Sequence, residues 1–178
     1  MEWISGIIGV FVGYGLGEFS RWRRGLSRVK SLKVLIADEL IAIKQQIPQK
    51  RDILEKMIVA IADKQILGGS SVSFLNVGYR TYFFEINEHL TPKQRNCIHV
   101  IHERLNNLDR VLFSFEDEFR FALKDSAVND PYYAFTARLK DCLDSLIVVN
   151  KLIESYLSGE PVDVFYIEQP LVANKRFS

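Results

Sequence analysis

The chain has 178 residues, room for one domain beside a terminal segment, and its 23 basic and 22 acidic residues leave a net charge of +1. That charge is unevenly placed: residues 34–178 hold 17 basic and 20 acidic residues, a net of −3. A body of this sign argues against nucleic acid as the main partner, because such binding needs a basic face on the domain itself.

The first segment carries the strongest signal. From Trp3 to Gly17 there is no charged residue; after Glu18, six basic residues (Arg21, Arg23, Arg24, Arg28, Lys30 and Lys33) come before the next acid. An apolar helix closed by a cationic collar predicts a membrane anchor whose following domain stays in the cytoplasm. Each collar residue near an anionic leaflet contributes about 1 kcal/mol. The fifteen residues from Trp3 to Gly17 span roughly 22 Å against a hydrocarbon core of about 30 Å. Counting on to Trp22, with Glu18 inside, gives twenty residues and the required length. Trp3 and Trp22 then sit where interfacial aromatics belong. A cleaved signal peptide fits less well, because the positive charge follows the apolar run instead of preceding it. A buried core helix is the stronger rival.

Within the span, Ser5, Gly9, Gly13 and Gly17 fall four residues apart on one helix face. Small residues at this spacing let two membrane helices approach closely, so this row is the expected helix-association face. Glu18 lies near the interface and is expected to pair with Arg21 or Arg23.

Beyond the collar the pattern is helical. Val29, Leu32, Ile36, Leu40, Ile43 and Ile47 recur at three- and four-residue steps. Nothing before Gln46 demands a break, so anchor and first cytoplasmic helix are expected to be continuous, with Pro48 kinking or ending the helix. A second run (Leu54, Met57, Ile58, Ile61) ends in the loop chemistry of Gly68-Gly69-Ser70-Ser71. The aromatic stretch from Val72 to Leu90 predicts a short helix over about residues 78–88, since Tyr79, Tyr82, Phe83 and Ile86 share one face.

Thr91-Pro92-Lys93-Gln94 then supplies an N-cap, a proline at the first helical position and a Gln three residues after the cap. Ile98, Ile101, Leu105, Leu108, Leu112, Phe115, Phe119 and Ala122 follow in an unbroken seam. Asp130-Pro131 opens another helix whose seam runs from Tyr132 through Phe135, Leu139, Cys142, Leu146, Val149 and Ile153 to Tyr156. Two such seams predict long helices packed near-antiparallel, as in a bundle. Gly159 and Pro161 end the last helix, and Val162 to Ile167 alternates like a strand. The predicted fold is therefore all-α: an N-terminal transmembrane helix with its collar over residues 1–24, a cytoplasmic antiparallel helical bundle over 25–160, and an extended tail over 161–178.

Candidate chemistry is sparse. His99, His102 and Glu103 cluster on one helix, and Glu85 and His89 lie just upstream. Dinuclear sites in bundles need Glu-x-x-His on two helices, and no Glu-x-x-His occurs here. His99 and His102 fall beside seam residues and are expected to flank the core. Cys97 and Cys142 have no metal-ligand or redox spacing and are expected to be free thiols. Glu116-Asp117-Glu118 reads as a solvated helix face. No catalytic set, no metal and no cofactor is predicted; a metal-dependent enzyme built on His99, His102, Glu103, Glu85 and His89 is the alternative. A soluble adaptor whose first helix is buried in a partner is a third reading.

The order of parts resembles small bacterial single-span membrane proteins of uncharacterised families. The resemblance rests on the glycine-rich anchor, Arg21-Trp22-Arg23-Arg24, Glu39-Leu40 in a long helix, an aromatic hinge from Phe74 to Tyr82, and Leu105-Asn106-Asn107-Leu108. Some such proteins look like components of anti-phage defence loci. The resemblance implies a single-pass, N-outside protein of the bacterial inner membrane. It also implies an effector or sensor subunit acting by oligomerisation, with membrane lipid and either itself or another membrane or cytoplasmic protein as partners. It transfers no catalytic or binding residue.

Overall fold

A computed structural model describes residues 2–65, 72–125 and 130–159, with side chains from residue 17 onward. The fold is all-α. Helices α1 (Glu2–Ala62), α2 (Val77–Ile86), α3 (Pro92–Ala122) and α4 (Pro131–Leu157) follow in order, with one 3-10 turn, Asn87–His89, after α2. No strand occurs among the described residues. The expected loop at Gly68-Gly69-Ser70-Ser71 and the expected extended tail over 161–178 lie outside them.

The two long seams form the core as their spacing requires. All eight predicted seam positions of α3 are buried, and in α4 Leu139, Cys142, Leu146, Val149 and Ile153 are buried with Tyr132, Phe135 and Tyr156 packed against them. Phe115 meets Phe135 and Phe119 meets Tyr132 at one end, while the Cys97 thiol donates to the Leu152 carbonyl at the other. That pairing makes α3 and α4 an antiparallel hairpin. Helix α1 runs beside them in the direction of α3, since Glu39 faces His102 and Lys50 faces Asp109. Helix α4 packs on both α1 and α3, and α2 lies on α1. Each fully buried Leu or Ile of this core contributes about 1.5–3 kcal/mol by leaving water.

The helix ends follow local chemistry. Thr91 accepts from the Gln94 amide while the Gln94 side chain accepts from the Thr91 amide, a complete capping box. Asp130 accepts from the Tyr133 amide at 3.0 Å. Gly159 sits at φ +83°, the left-handed conformation that closes α4.

Three expectations need correction. Pro48 neither ends nor interrupts α1, which is helical through Ala62. Pro48 is exposed, so its missing donor falls on the solvent side, and the buried seam on the opposite side holds both halves in one helix. Helix α2 with the 3-10 turn after it covers the expected stretch, and a distant residue sets its start. Asn76 makes no cap bond; instead Glu39 of α1 accepts from the amides of Gly78 at 2.5 Å and Tyr79 at 3.0 Å. His102 does not flank the core but lies inside it, 1% exposed, because α2 covers that side of α3 with the Tyr79 ring. Finally, among the described residues no helix is long and apolar enough to cross a membrane. The charges from Glu18 onward dilute the described part of α1, and the side chains of residues 1–16 lie outside the described set.

Candidate membrane-proximal site

The predicted collar lies on a bare stretch of helix. From Gly17 to Arg28 every residue is exposed, Val29 is half-buried, and the first buried side chain is Leu32. At about 1.5 Å per residue, residues 17–31 carry α1 roughly 20 Å past the packed bundle. Phe19, Trp22 and Leu26 are 55%, 62% and 50% exposed, an unusual load of apolar surface for a solvated helix. At 100° per residue these three share one side, while Arg21, Arg24, Arg28 and Gly17 share the other. The stretch is therefore amphipathic.

Its base is fixed. Arg28 pairs with Glu85 at 2.5 Å, and Lys33 Nζ donates to the His89 carbonyl at 2.5 Å. These two contacts tie the stalk to α2 and the turn after it. Higher up, Arg21 pairs with Glu18 at 2.9 Å, as expected, and Arg24 Nε donates to the Ser20 carbonyl at 3.2 Å. Arg23 and Lys30 are exposed. Exposed pairs of this kind are worth little in stability, so the collar's charge remains available to an external surface. Of the predicted association face, Gly17 is exposed with open space around it, whereas Ser5, Gly9 and Gly13 lie where side chains are outside the described set.

The predicted metal candidates are not gathered into a site. The hydroxyl of Tyr79 and His99 Nδ1 are hydrogen-bonded at 2.8 Å, His102 stacks on the Tyr79 ring at 4.0 Å, and Glu103 points to solvent. Glu85 is held by Arg28, and His89 lies in the 3-10 turn. Among the described residues no group of three or more His, Cys, Asp or Glu could hold a metal ion. Cys97 and Cys142 are free and buried, and burial pushes the Cys97 thiol up to about 11. Such a thiol is inert, as is Cys142, whose pKa is raised by burial too.

In place of a catalytic set, the structure brings together two buried polar clamps. In the first, the Glu39 carboxylate caps α2 from outside. Gly78 lies close beneath it: a Cβ there would meet Leu35 Cδ2 at 2.6 Å and Glu39 Oε2 at 3.0 Å, so both side chains would have to shift. In the second, Lys50 Nζ lies 3.2 Å from Asp109 and 4.7 Å from the centre of the Phe74 ring, and Asp109 accepts from the Phe74 amide at 2.8 Å. Gln46 accepts from the Leu75 amide at 3.3 Å beside it. Both clamps fasten the aromatic segment onto α1 and α3. The sequence did contain a signal for the second, a lysine standing in the apolar row between Ile47 and Leu54. Glu39, Lys50 and Asp109 were otherwise missed, because their partners, backbone amides for Glu39 and Asp109 and the Asp109 carboxylate for Lys50, lie dozens of residues away.

His102 is the titratable group most altered by this packing. Burial, and then His99, push its imidazole from 6.5 down to about 4. Both ring nitrogens lack a hydrogen bond, with Glu39 Oε1 3.6 Å from Nε2, so the ring is neutral in the fold. The unfolded chain then binds the additional proton between pH 6.5 and about 4, and stability falls as pH falls through that window. The expected slope is about 1 kcal/mol per pH unit. Thermal melts between pH 6.5 and 5 should show it, and His102→Phe, which keeps the stack, should flatten it. An unchanged slope in that variant contradicts the neutral buried imidazole.

No family model, curated protein or solved structure matches the chain.

Proposed function

We propose that the protein is a membrane-tethered, non-enzymatic helical interaction module of the bacterial inner membrane. In this reading residues 3–22 form a single-pass anchor, N-outside, and the bundle lies in the cytoplasm. The observation that carries it is the continuity of α1. One helix holds the uncharged stretch, then a six-residue basic collar exposed at every position but Lys33, then the bundle's own core. A helix built only for a soluble bundle has no need of two dozen residues beyond its packed part. The stacking of His102 on Tyr79 and the two backbone amides on the Glu39 carboxylate favour this reading over a metal-dependent enzyme, since both side chains serve to hold α2. The resemblance to single-span proteins of defence loci extends the proposal to an effector or sensor subunit that acts by associating with itself or a protein partner at the membrane.

Topology tests the reading directly. A reporter fused after Ser178 should be active only where cytoplasmic activity is required. Changing Arg21, Arg23, Arg24 and Arg28 together to Gln should lower insertion or mix the orientations. Full activity of a periplasm-only reporter at Ser178 contradicts the proposal.

A further inference from the structure

We propose that the exposed part of α1 is one strand of a parallel two-stranded coiled coil formed with a second copy of this chain, through Phe19, Trp22, Leu26 and Val29. The first observation is a register. Inside the bundle the buried row of α1 runs from Ile36 through Leu40, Ile43 and Lys50 to Ile61 in alternating steps of four and three. Traced toward the N-terminus, the same alternation passes Lys33 and then falls on Val29, Leu26, Trp22 and Phe19 without a missed step. The apolar seam that α4 covers in the bundle therefore continues past it, with Val29 half-buried and Leu26, Trp22 and Phe19 exposed. Lys33 marks the change of partner. It occupies a seam position, yet its ammonium is held by the His89 carbonyl.

The second observation is charge. With Phe19 and Leu26 at a and Trp22 and Val29 at d, Glu18 falls at g and Arg23 at e, five residues on. In a parallel pair, g of one strand faces e of the next heptad on the other, and opposite charges there set partner and orientation. Two copies in register thus form Glu18–Arg23 pairs on both sides of the seam, replacing the exposed Glu18–Arg21 contact of the single chain. Arg21, Arg24 and Arg28 stay on the outside. A coil of two heptads is weak alone, but tethering both strands in one membrane raises their effective concentration. The parallel sense rests on the anchor proposed above; the seam itself does not.

This surface differs from the row of small residues. Gly17 lies opposite Phe19 on the helix, on the side of Arg24. Cysteine crosslinking of the full chain in its own membranes separates the two. Leu26→Cys should give a disulfide-linked dimer well above the wild-type level set by the buried Cys97 and Cys142, and Arg24→Cys should not, since only seam positions bring two Cα atoms within bridging distance. Adding Glu18→Arg to Leu26→Cys should lower the dimer several-fold, and adding Arg23→Glu as well should restore it. Crosslinking at Arg24→Cys equal to or above Leu26→Cys overturns the proposal, in favour of the small-residue side. No dimer from Leu26→Cys also overturns it, leaving the apolar side to lipid or to a different protein. The anchor is read separately, from the fraction of each variant in the membrane pellet: dimers in the soluble fraction would keep the seam and remove the anchor.

Discussion

Asp109→Ala is expected to destabilise the fold by about 3 kcal/mol, the lower end of what breaking a buried ion pair costs. Asp109 has two occupations at once. One carboxylate oxygen lies 3.2 Å from Lys50 Nζ and the other accepts the Phe74 amide at 2.8 Å. Side-chain exposures of 6% for Lys50 and 14% for Asp109 leave little water to take over either role. Removing the carboxylate takes away the ion pair with Lys50 and the acceptor of the Phe74 amide together. Breaking the exposed Lys56–Asp52 pair with Lys56→Ala should instead stay within about 0.5 kcal/mol. Denaturant unfolding followed by far-UV circular dichroism reads both. Equal effects for the two variants would mean that the clamp holds nothing.

Leu146→Ala is expected to cost about 2–5 kcal/mol, the range for truncating a buried leucine in a packed core. Leu146 is 1% exposed and sits midway along the α4 seam, on the helix that packs against both α1 and α3. Its neighbours are held by long helices that cannot collapse into the space, so both the transfer loss and the cavity should be felt. The denaturant slope should not change, since the same surface is exposed on unfolding. Exposed Ile147→Ala, one position along, is the control and should do little. A loss below about 1 kcal/mol at Leu146 would contradict the packing of α4 between α1 and α3.

These two sites mark what the sequence discloses and what it hides. Leu146 is legible because α4 repeats its apolar residues at three and four, a signal contained within one helix. The same holds for Thr91-Pro92 and Asp130-Pro131, where cap and first turn adjoin. Asp109 is not legible in that way. Its worth depends on Lys50 and Phe74, which the chain brings near only after α4 has gathered α1 and α3 into one bundle. His102 was misplaced for a related reason: the α3 seam reports the side facing α4 and says nothing of the second side, which α2 covers. Pro48 shows the converse. A strong local breaker is overridden where its missing donor faces water and the opposite side of the helix is held by the core. On the stalk, charge order disclosed the collar, while the exposure of Phe19, Trp22 and Leu26 could be known only once the end of the bundle was placed.

Washing isolated membranes at alkaline pH tests most directly whether the first two dozen residues hold the bundle at a membrane. Alkaline wash strips proteins held only by surface charge or by a soluble partner and leaves those held by an inserted apolar helix. The full chain should remain in the pellet, and a variant carrying Ile7→Lys and Val10→Lys within the uncharged stretch should be lost from it, because a lysine at the centre of a span costs about 2.5–3.5 kcal/mol. Release of the unaltered chain into the supernatant would contradict the anchor.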